Sequence, residues 1–338
     1  MQRSTRQLLQ FVVFLGLAVV FTWLAFAGQD LNALREMLGE TRWAYVGLAL
    51  VLTLLGHWAR AARWQLLLRN AGMPVKLSHA LVSLLNGYFV NLGVPRLGEI
   101  TRCGVLNRLS GTPVLTAAGT VVAERAVDVL VLVLIALGFF LTAGGKFLAA
   151  GEELVLQPVV EFLSGKIGWL VLLGGLGLLG LGILFLWARG RKRDAGKSLL
   201  NRSREWAAQL YGGLVSALRL PGFGRFALLT LAIWVSYYSA PLLSLLALDL
   251  GHPELLTVAF AAFLFGSLAR TVPLPAGSVG AYHYLVSSVL LLWGYSESEG
   301  LGLATLNHGV QTLFYLLAGL GSWIALVVLQ QRALAPEK

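Results

Sequence analysis

The chain has 338 residues and a formal net charge of +10; it is 57% hydrophobic and only 12% charged. Soluble domains carry about 25% charged residues, so a mean hydropathy of +0.76 excludes an ordinary soluble enzyme. Its one cysteine, Cys103, excludes a disulfide framework within the chain.

Taken in chain order, the first apolar stretch is Leu8–Ala27, which follows Arg3 and Arg6. It has the look of a signal peptide but lacks a small-x-small cleavage site, and is read as a retained first span. Further full crossings are expected at Trp43–Leu66, Val114–Leu141, Ile167–Ala188, Phe226–Leu248 and Leu303–Leu329. The intervening stretches sort by charge. Gly28–Arg42, Thr142–Lys166, Asp249–Glu254 and Gly294–Gly300 hold ten of the 16 acidic residues. The N-terminus, His57–Arg108, Arg189–Arg225 and the C-terminus hold 20 of the 26 basic ones. Lysine and arginine mark the cytoplasmic side, which places both termini inside. Because the basic residues border spans, membrane topology accounts for them and no nucleic-acid partner is expected.

Two apolar segments break this alternation. Ser78–Leu109 begins and ends among basic residues, and Glu254–Trp293 begins and ends among acids. Each is interrupted by proline and glycine, so each is expected to enter the membrane and return as a re-entrant hairpin. In the first, Gly87 precedes Asn91 by four residues, and Pro95 and Gly98 follow; in the second, Gly266 precedes Arg270 by four, and Pro273, Pro275, Gly277 and Gly280 follow. The predicted fold is therefore an all-α polytopic membrane protein with six full crossings, two oppositely oriented hairpins and an inverted repeat. A single membrane domain would comprise a first half over 28–145, a cytoplasmic linker over 189–225 and a second half over 226–331. Trp206, Leu210, Leu214 and Leu218 recur every four positions in that linker, the pattern of an interfacial amphipathic helix.

Three charged constellations lie in these segments. In NLGVPRLGEITR, Pro95 should end the incoming half-helix near Val94, and a new one should start near Gly98. Its N-terminus, with Arg96 and Arg102, would suit a phosphate, while Glu99 and Arg102 share a face; solvated loop charges are the alternative. In VVAERAVDVLVL, Glu124, Arg125 and Asp128 lie about 15–22 Å into their span. Glu124 and Asp128 share a face, either as a self-neutralising cluster bridged by Arg125 or as a head-group or proton site. In LARTVPLPAGSVGAYHYLV, Arg270 lies deep with few acids nearby in sequence, so Glu124 or Asp128 is its expected partner, or else a phosphate. Gly277 and Gly280 allow close backbone approach to a ligand, and His283 can titrate near neutral pH. His308, with Asn307 and Gln311, forms a polar patch in the last span. By contrast, His57, Arg60 and Arg63 share a face near the cytoplasmic end of their span, where snorkelling is expected. Glycines 174 to 182 are expected to allow close helix packing.

These motifs resemble the lysylphosphatidylglycerol synthase transmembrane-region family of flippase-like integral membrane proteins. The residues that carry the resemblance are Asn91, Pro95-Arg96-Leu97-Gly98-Glu99 with Arg102, Glu124-Arg125 with Asp128, the Pro275–Gly280 turn, and His308-Gly309 with Gln311. Many relatives place an acid where this chain has Tyr282-His283. The resemblance implies lipid translocation without lipid synthesis, since no stretch is left over for a soluble aminoacyl-transfer domain.

The expected substrate is an anionic or zwitterionic phospholipid of the bacterial inner membrane. Arg96, Arg102 and Arg270 would hold its phosphate, with Glu124 and Asp128 as counter-charges. A secondary transporter of a small anionic solute, or a non-catalytic membrane partner of a lipid-modifying enzyme, are the alternatives. A homo-oligomer is compatible with each. Zinc-ligand spacing, a P-loop and a nucleophile elbow are all missing from the sequence, so neither metal, cofactor nor enzymatic activity is expected.

Overall fold

The computed structural model describes residues 31–94, 96–151, 222–270 and 275–334. The described helices are α1 (Leu31–Gly39), α2 (Trp43–Asn70), α3 (Leu77–Gly93), α4 (Leu97–Ser110), α5 (Val114–Gly151), α6 (Phe223–Ala247), α7 (Leu255–Ala269), α8 (Pro275–Leu290) and α9 (Glu297–Leu334). Three of them, at Trp43–Asn70, Phe223–Ala247 and Glu297–Gln331, are long and apolar enough to cross a membrane. Leu255–Ala269 and Ser278–Trp293 are shorter apolar helices. The expected spans Leu8–Ala27 and Ile167–Ala188, the glycine run 174–182 and the amphipathic stretch around Trp206 lie outside the described residues.

The chain divides into two compact units: Met1–Glu124 with Ala217–Lys338, and Arg125–Ser216. The first contains both helix–break–helix segments, α3–α4 and α7–α8. In the second, the described residues are those of α5 from Arg125 to Gly151.

Within the first unit, apolar side chains form exposed stripes while several charged ones are buried. Leu48, Val51 and Leu55 form an exposed stripe on α2, as do Leu228, Leu231 and Val235 on α6, and Leu317, Leu320 and Ile324 on α9. Spacings of three and four put each trio on one helix face, the surface that lipid would wet. Arg60, Arg63, Arg102 and Glu124 are buried instead. Small residues let the helices come this close. Gly56 of α2 faces Ser236 of α6, whose hydroxyl donates to the Leu52 carbonyl at 2.8 Å. Gly319 of α9 accommodates the Phe89 side chain of α3, and Asn86 donates to the Ser322 hydroxyl between the same two helices at 3.0 Å. Trp64, Leu68, Leu84, Cys103, Leu106 and Val121 form an apolar core joining α2, α3, α4 and α5.

The first break follows its sequence closely. α3 ends at Gly93, and Val94 is extended at φ −130°, ψ 106°, as a residue before proline prefers. Arg96 then takes a left-handed φ of 65° and α4 begins at Leu97. α3 and α4 fold back on each other through two glycines. A Cβ on Gly98 would sit 2.0 Å from the Gly87 carbonyl oxygen, and one on Gly87 would sit 2.8 Å from the Gly98 carbonyl oxygen. In the second break, Gly266 of α7 lies against the Tyr282 ring of α8, and Ser278 has a left-handed φ of 65°.

Gly98→Ala should therefore destabilise the protein by about 1–3 kcal/mol or more, because the backbone cannot yield to the added methyl. Gly104→Ala in the same helix meets nothing within 4 Å, and should be neutral or stabilising by up to about 1 kcal/mol. Thermal unfolding of the two variants in detergent checks the contrast.

Candidate functional site

Glu124 organises the first polar centre. It sits ten residues into α5, about 15 Å from the helix start, with its side chain fully buried. Arg60 Nε lies 2.7 Å and Arg63 Nη2 3.4 Å from Glu124 Oε1, both from α2. Arg102 Nη1, from α4, lies 3.0 Å from Oε2. One carboxylate thus ties three helices by three guanidinium groups. Arg102 also reaches Glu99 one turn back at 3.0 Å and lies over the Trp64 ring, 4.9 Å from its centroid. Trp64 in turn donates its indole N–H to Thr120 Oγ1 at 3.0 Å. Arg63 donates to Thr230 Oγ1 at 3.3 Å and lies 5.7 Å from the Phe226 centroid, which brings in α6. Arg60 donates to the Tyr237 hydroxyl of the same helix.

This arrangement corrects the snorkelling expectation for His57, Arg60 and Arg63, which are all buried. α2 continues to Asn70 rather than ending at Leu66, so the arginines lie about 6 Å further from the helix end than the sequence placed them. Long stems bent toward water would be exposed; these turn inward to a carboxylate.

A second centre forms around Arg270, the residue that closes α7. It lies about 22 Å from the start of that helix. Its guanidinium carbon sits 4.5 Å from the centroid of Tyr282, a geometry of cation–π attraction. Among the described residues no carboxylate lies within ion-pair distance of it. The expected partner Glu124 is instead engaged by Arg60, Arg63 and Arg102. Asn307 of α9 donates to the buried Tyr282 hydroxyl at 2.7 Å. Behind it, His283 and His308 stack with ring centroids 5.3 Å apart. His283 Nδ1 bonds the Val279 carbonyl one turn back, and His308 Nδ1 lies 3.5 Å from Thr312 Oγ1.

Other sequence candidates have different positions. Asn91 Oδ1 accepts from the Gly98 N–H at 2.7 Å, so it caps the start of α4 rather than pointing away from the protein. Arg96 is exposed at the break. Arg125 pairs with Asp128 at 3.7 Å in the second unit, with Arg125 about two-fifths exposed. Gly277 lies in the first turn of α8, and Gly280 is buried in the next. Gln311 donates to the Tyr315 hydroxyl at 3.2 Å.

Tyr315 belongs to an aromatic group that sequence reasoning missed. It stacks on Tyr88 with centroids 4.9 Å apart and planes 6° from parallel. The His57 ring meets Tyr88, Phe314 and Tyr315 at 4.9, 5.1 and 5.5 Å. The Tyr315 hydroxyl is within electrostatic range of Arg60, Tyr237 and Arg270. No local spacing in the sequence links Tyr88 to Tyr315, so only the Arg60–Arg63 pair carried a readable signal.

The family described as Lysylphosphatidylglycerol synthase TM region matches residues 7–319. The chain belongs to this family. As a member of the lysylphosphatidylglycerol synthase TM-region family, it is an integral membrane protein with transmembrane helices. It is 25% identical over 328 residues, 88% of the chain, to the glycosyltransferase AglD of Haloferax volcanii, of which it covers 51%. It is 28% identical over 156 residues, 44% of the chain, to a UPF0104 membrane protein of Methanocaldococcus jannaschii, of which it covers 46%. The chain thus spans about half the length of the curated relatives it matches. No solved structure matches it significantly.

Glu124→Gln should destabilise the protein by about 3–5 kcal/mol, because three buried guanidinium groups lose their shared counter-charge. Asp128→Asn leaves the three-arginine cluster on Glu124 intact and should cost less than Glu124→Gln. Comparing the two thermal midpoints in the same detergent tests which acid holds the structure.

Proposed function

We propose that this protein is a lipid translocase that carries a phosphate-bearing head group through the polar interior while the acyl tails stay in lipid. Arg270 carries the reading. A cation at bilayer depth is expensive and normally paired, and Arg270 rests on an aromatic ring with no carboxylate beside it among the described residues. A phosphate is the ligand chemistry that complements such a guanidinium. Glu124 takes the structural part, holding Arg60, Arg63 and Arg102 in place.

In this reading α3–α4 and α7–α8 are re-entrant hairpins entering from opposite faces. Four further crossings and two outside the described residues complete a six-span inverted repeat, with the 189–225 stretch as its cytoplasmic linker. Both termini face the cytoplasm of a bacterial cell, where positive residues concentrate. The protein performs no bond-breaking chemistry, and movement is downhill or coupled to an ion. The match to AglD favours one second reading, a membrane partner for a transferase acting on lipid-linked sugars. Co-purification of a soluble transferase with a protein that does not move lipid would support it.

Reconstituted in vesicles with a fluorescent phospholipid, the wild-type protein should expose inner-leaflet lipid to an external quencher. Arg270→Ala should slow that exposure roughly tenfold or more, the loss of a charged hydrogen bond, with unchanged folded yield. Wild-type rates from the Arg270→Ala variant would sink the proposal.

A further inference from the structure

α9 is one uninterrupted helix of 38 residues with no proline in it, about 57 Å long. Its two halves have different neighbours. In the first half the neighbour is α8. A Cβ on Gly300 would sit 2.9 Å from the Ser287 carbonyl oxygen. Asn307 donates to Tyr282, and the His308 ring stacks on His283. In the second half the neighbour is α3. Tyr315 stacks on Tyr88, and a Cβ on Gly319 would sit 2.5 Å from that of Phe89. Ser322 accepts from Asn86, and Leu326 packs with Val82. Where the halves join, at the midpoint of α9, Phe314 and Tyr315 meet the His57 ring at the midpoint of α2.

All these contacts share one face of α9. Gly300, His308, Tyr315, Gly319, Ser322 and Leu326 follow helical spacing. Leu313, Leu317, Leu320 and Ile324, on the other side, are exposed. Lipid there offers no hydrogen bond to hold the helix at one tilt. α2, by contrast, is tied to α6 at two levels roughly 31 Å apart. At one, the Arg42 N–H donates to the Ala247 carbonyl at 2.8 Å; at the other, Arg63 donates to Thr230 at 3.3 Å. A rod loaded on one face and resting at its midpoint on a tied helix behaves as a lever. Both seams are already closely packed and cannot be compressed. Tilting α9 away from α8 therefore drives its other half against α3, and α3–α4 must shift to make room. The reverse tilt displaces α7–α8.

We infer that α9 is a rocker arm that couples the two helix–break–helix segments, so that neither moves without the other. The coupling deepens the translocase reading, which it supplies with a device for opening the interior at one end at a time. It is also measurable without any movement of lipid. The element that both segments bias is α9 itself, which is the physical content of the coupling.

The test closes one seam and reads the other. Asn86→Cys with Ser322→Cys, in a Cys103→Ala background, lets a short bifunctional thiosulfonate hold α3 to α9 reversibly. Hydrogen exchange of the α7–α8 amides is then followed by mass spectrometry in detergent. Gly300, where α9 touches Ser287, is about 33 Å along the helix from Ser322. Crosslinking should nonetheless slow α8 exchange roughly tenfold, an ordinary coupling between two sites, and reduction should restore it. The α6 amides, on the tied pair, should keep their rates. Slowing confined to α3–α4 overturns the inference, and so does an even slowing of every helix, which reports only global stabilisation. If that pair does not fold, Val82→Cys with Leu326→Cys closes the same seam and faces the same comparison. Lipid movement in vesicles, read on the same crosslinked protein, should stop and return on reduction. Coupled exchange in a protein that moves no lipid keeps the rocker and sinks the translocase. Lipid movement with uncoupled exchange keeps the translocase and removes the rocker.

Discussion

A single carboxylate in an apolar interior sets the terms for the rest of this protein. Glu124 is fully buried, and three guanidinium groups from α2 and α4 converge on its two oxygens at 2.7 to 3.4 Å. Any one of these charges alone would be prohibitively costly to remove from water. Together they are tolerated, and the geometry that makes them tolerable fixes α2, α4 and α5 at one point. Arg102 on Trp64 and Arg63 on Phe226 extend that point into the surrounding aromatic packing. The position of the first break follows from it, because Arg102 lies only four residues past Gly98.

That break is shaped by backbone contact. Gly87 and Gly98 bring the two strokes of α3–α4 so close that neither can carry a side chain. Asn91, four residues after Gly87, is then in place to cap α4 at the Gly98 amide. The second break uses the same principle with a different filler, since Gly266 makes room for the Tyr282 ring. Tyr282 in turn supports Arg270. A non-glycine residue also takes a left-handed φ near each break, Arg96 in the first and Ser278 in the first turn of α8. Backbone in that region is held there by its surroundings and recurs at functional sites.

The two polar centres therefore differ in kind. Around Glu124 three guanidinium groups enclose one buried carboxylate, which makes it a joint of the structure. Around Arg270 the positive charge rests on a ring and is exposed, with no carboxylate in ion-pair distance among the described residues. Tyr315 is stacked on Tyr88 and lies in electrostatic range of Arg60 and Arg270.

Residue by residue, the sequence alone determined the elements governed by local rules. Apolar length set the long helices, and the proline rule at Val94 set the end of α3. The Gly87–Asn91 and Gly266–Arg270 spacings marked the two breaks, and the Glu-Arg and Pro-Arg-Leu-Gly-Glu motifs pointed to the family. What it could not determine was which charges meet. Arg60 and Glu124 are 64 positions apart, Tyr88 and Tyr315 are 227 apart, and no periodicity links either pair. The capping role of Asn91 could not be read because its partner lies across a break, and Arg60 and Arg63 read as snorkelling because four more residues of α2 were not counted as helix. Burial decided these assignments. In an apolar interior a charge takes the partner that tertiary packing brings within about 3 Å, and only the folded chain fixes which partner that is.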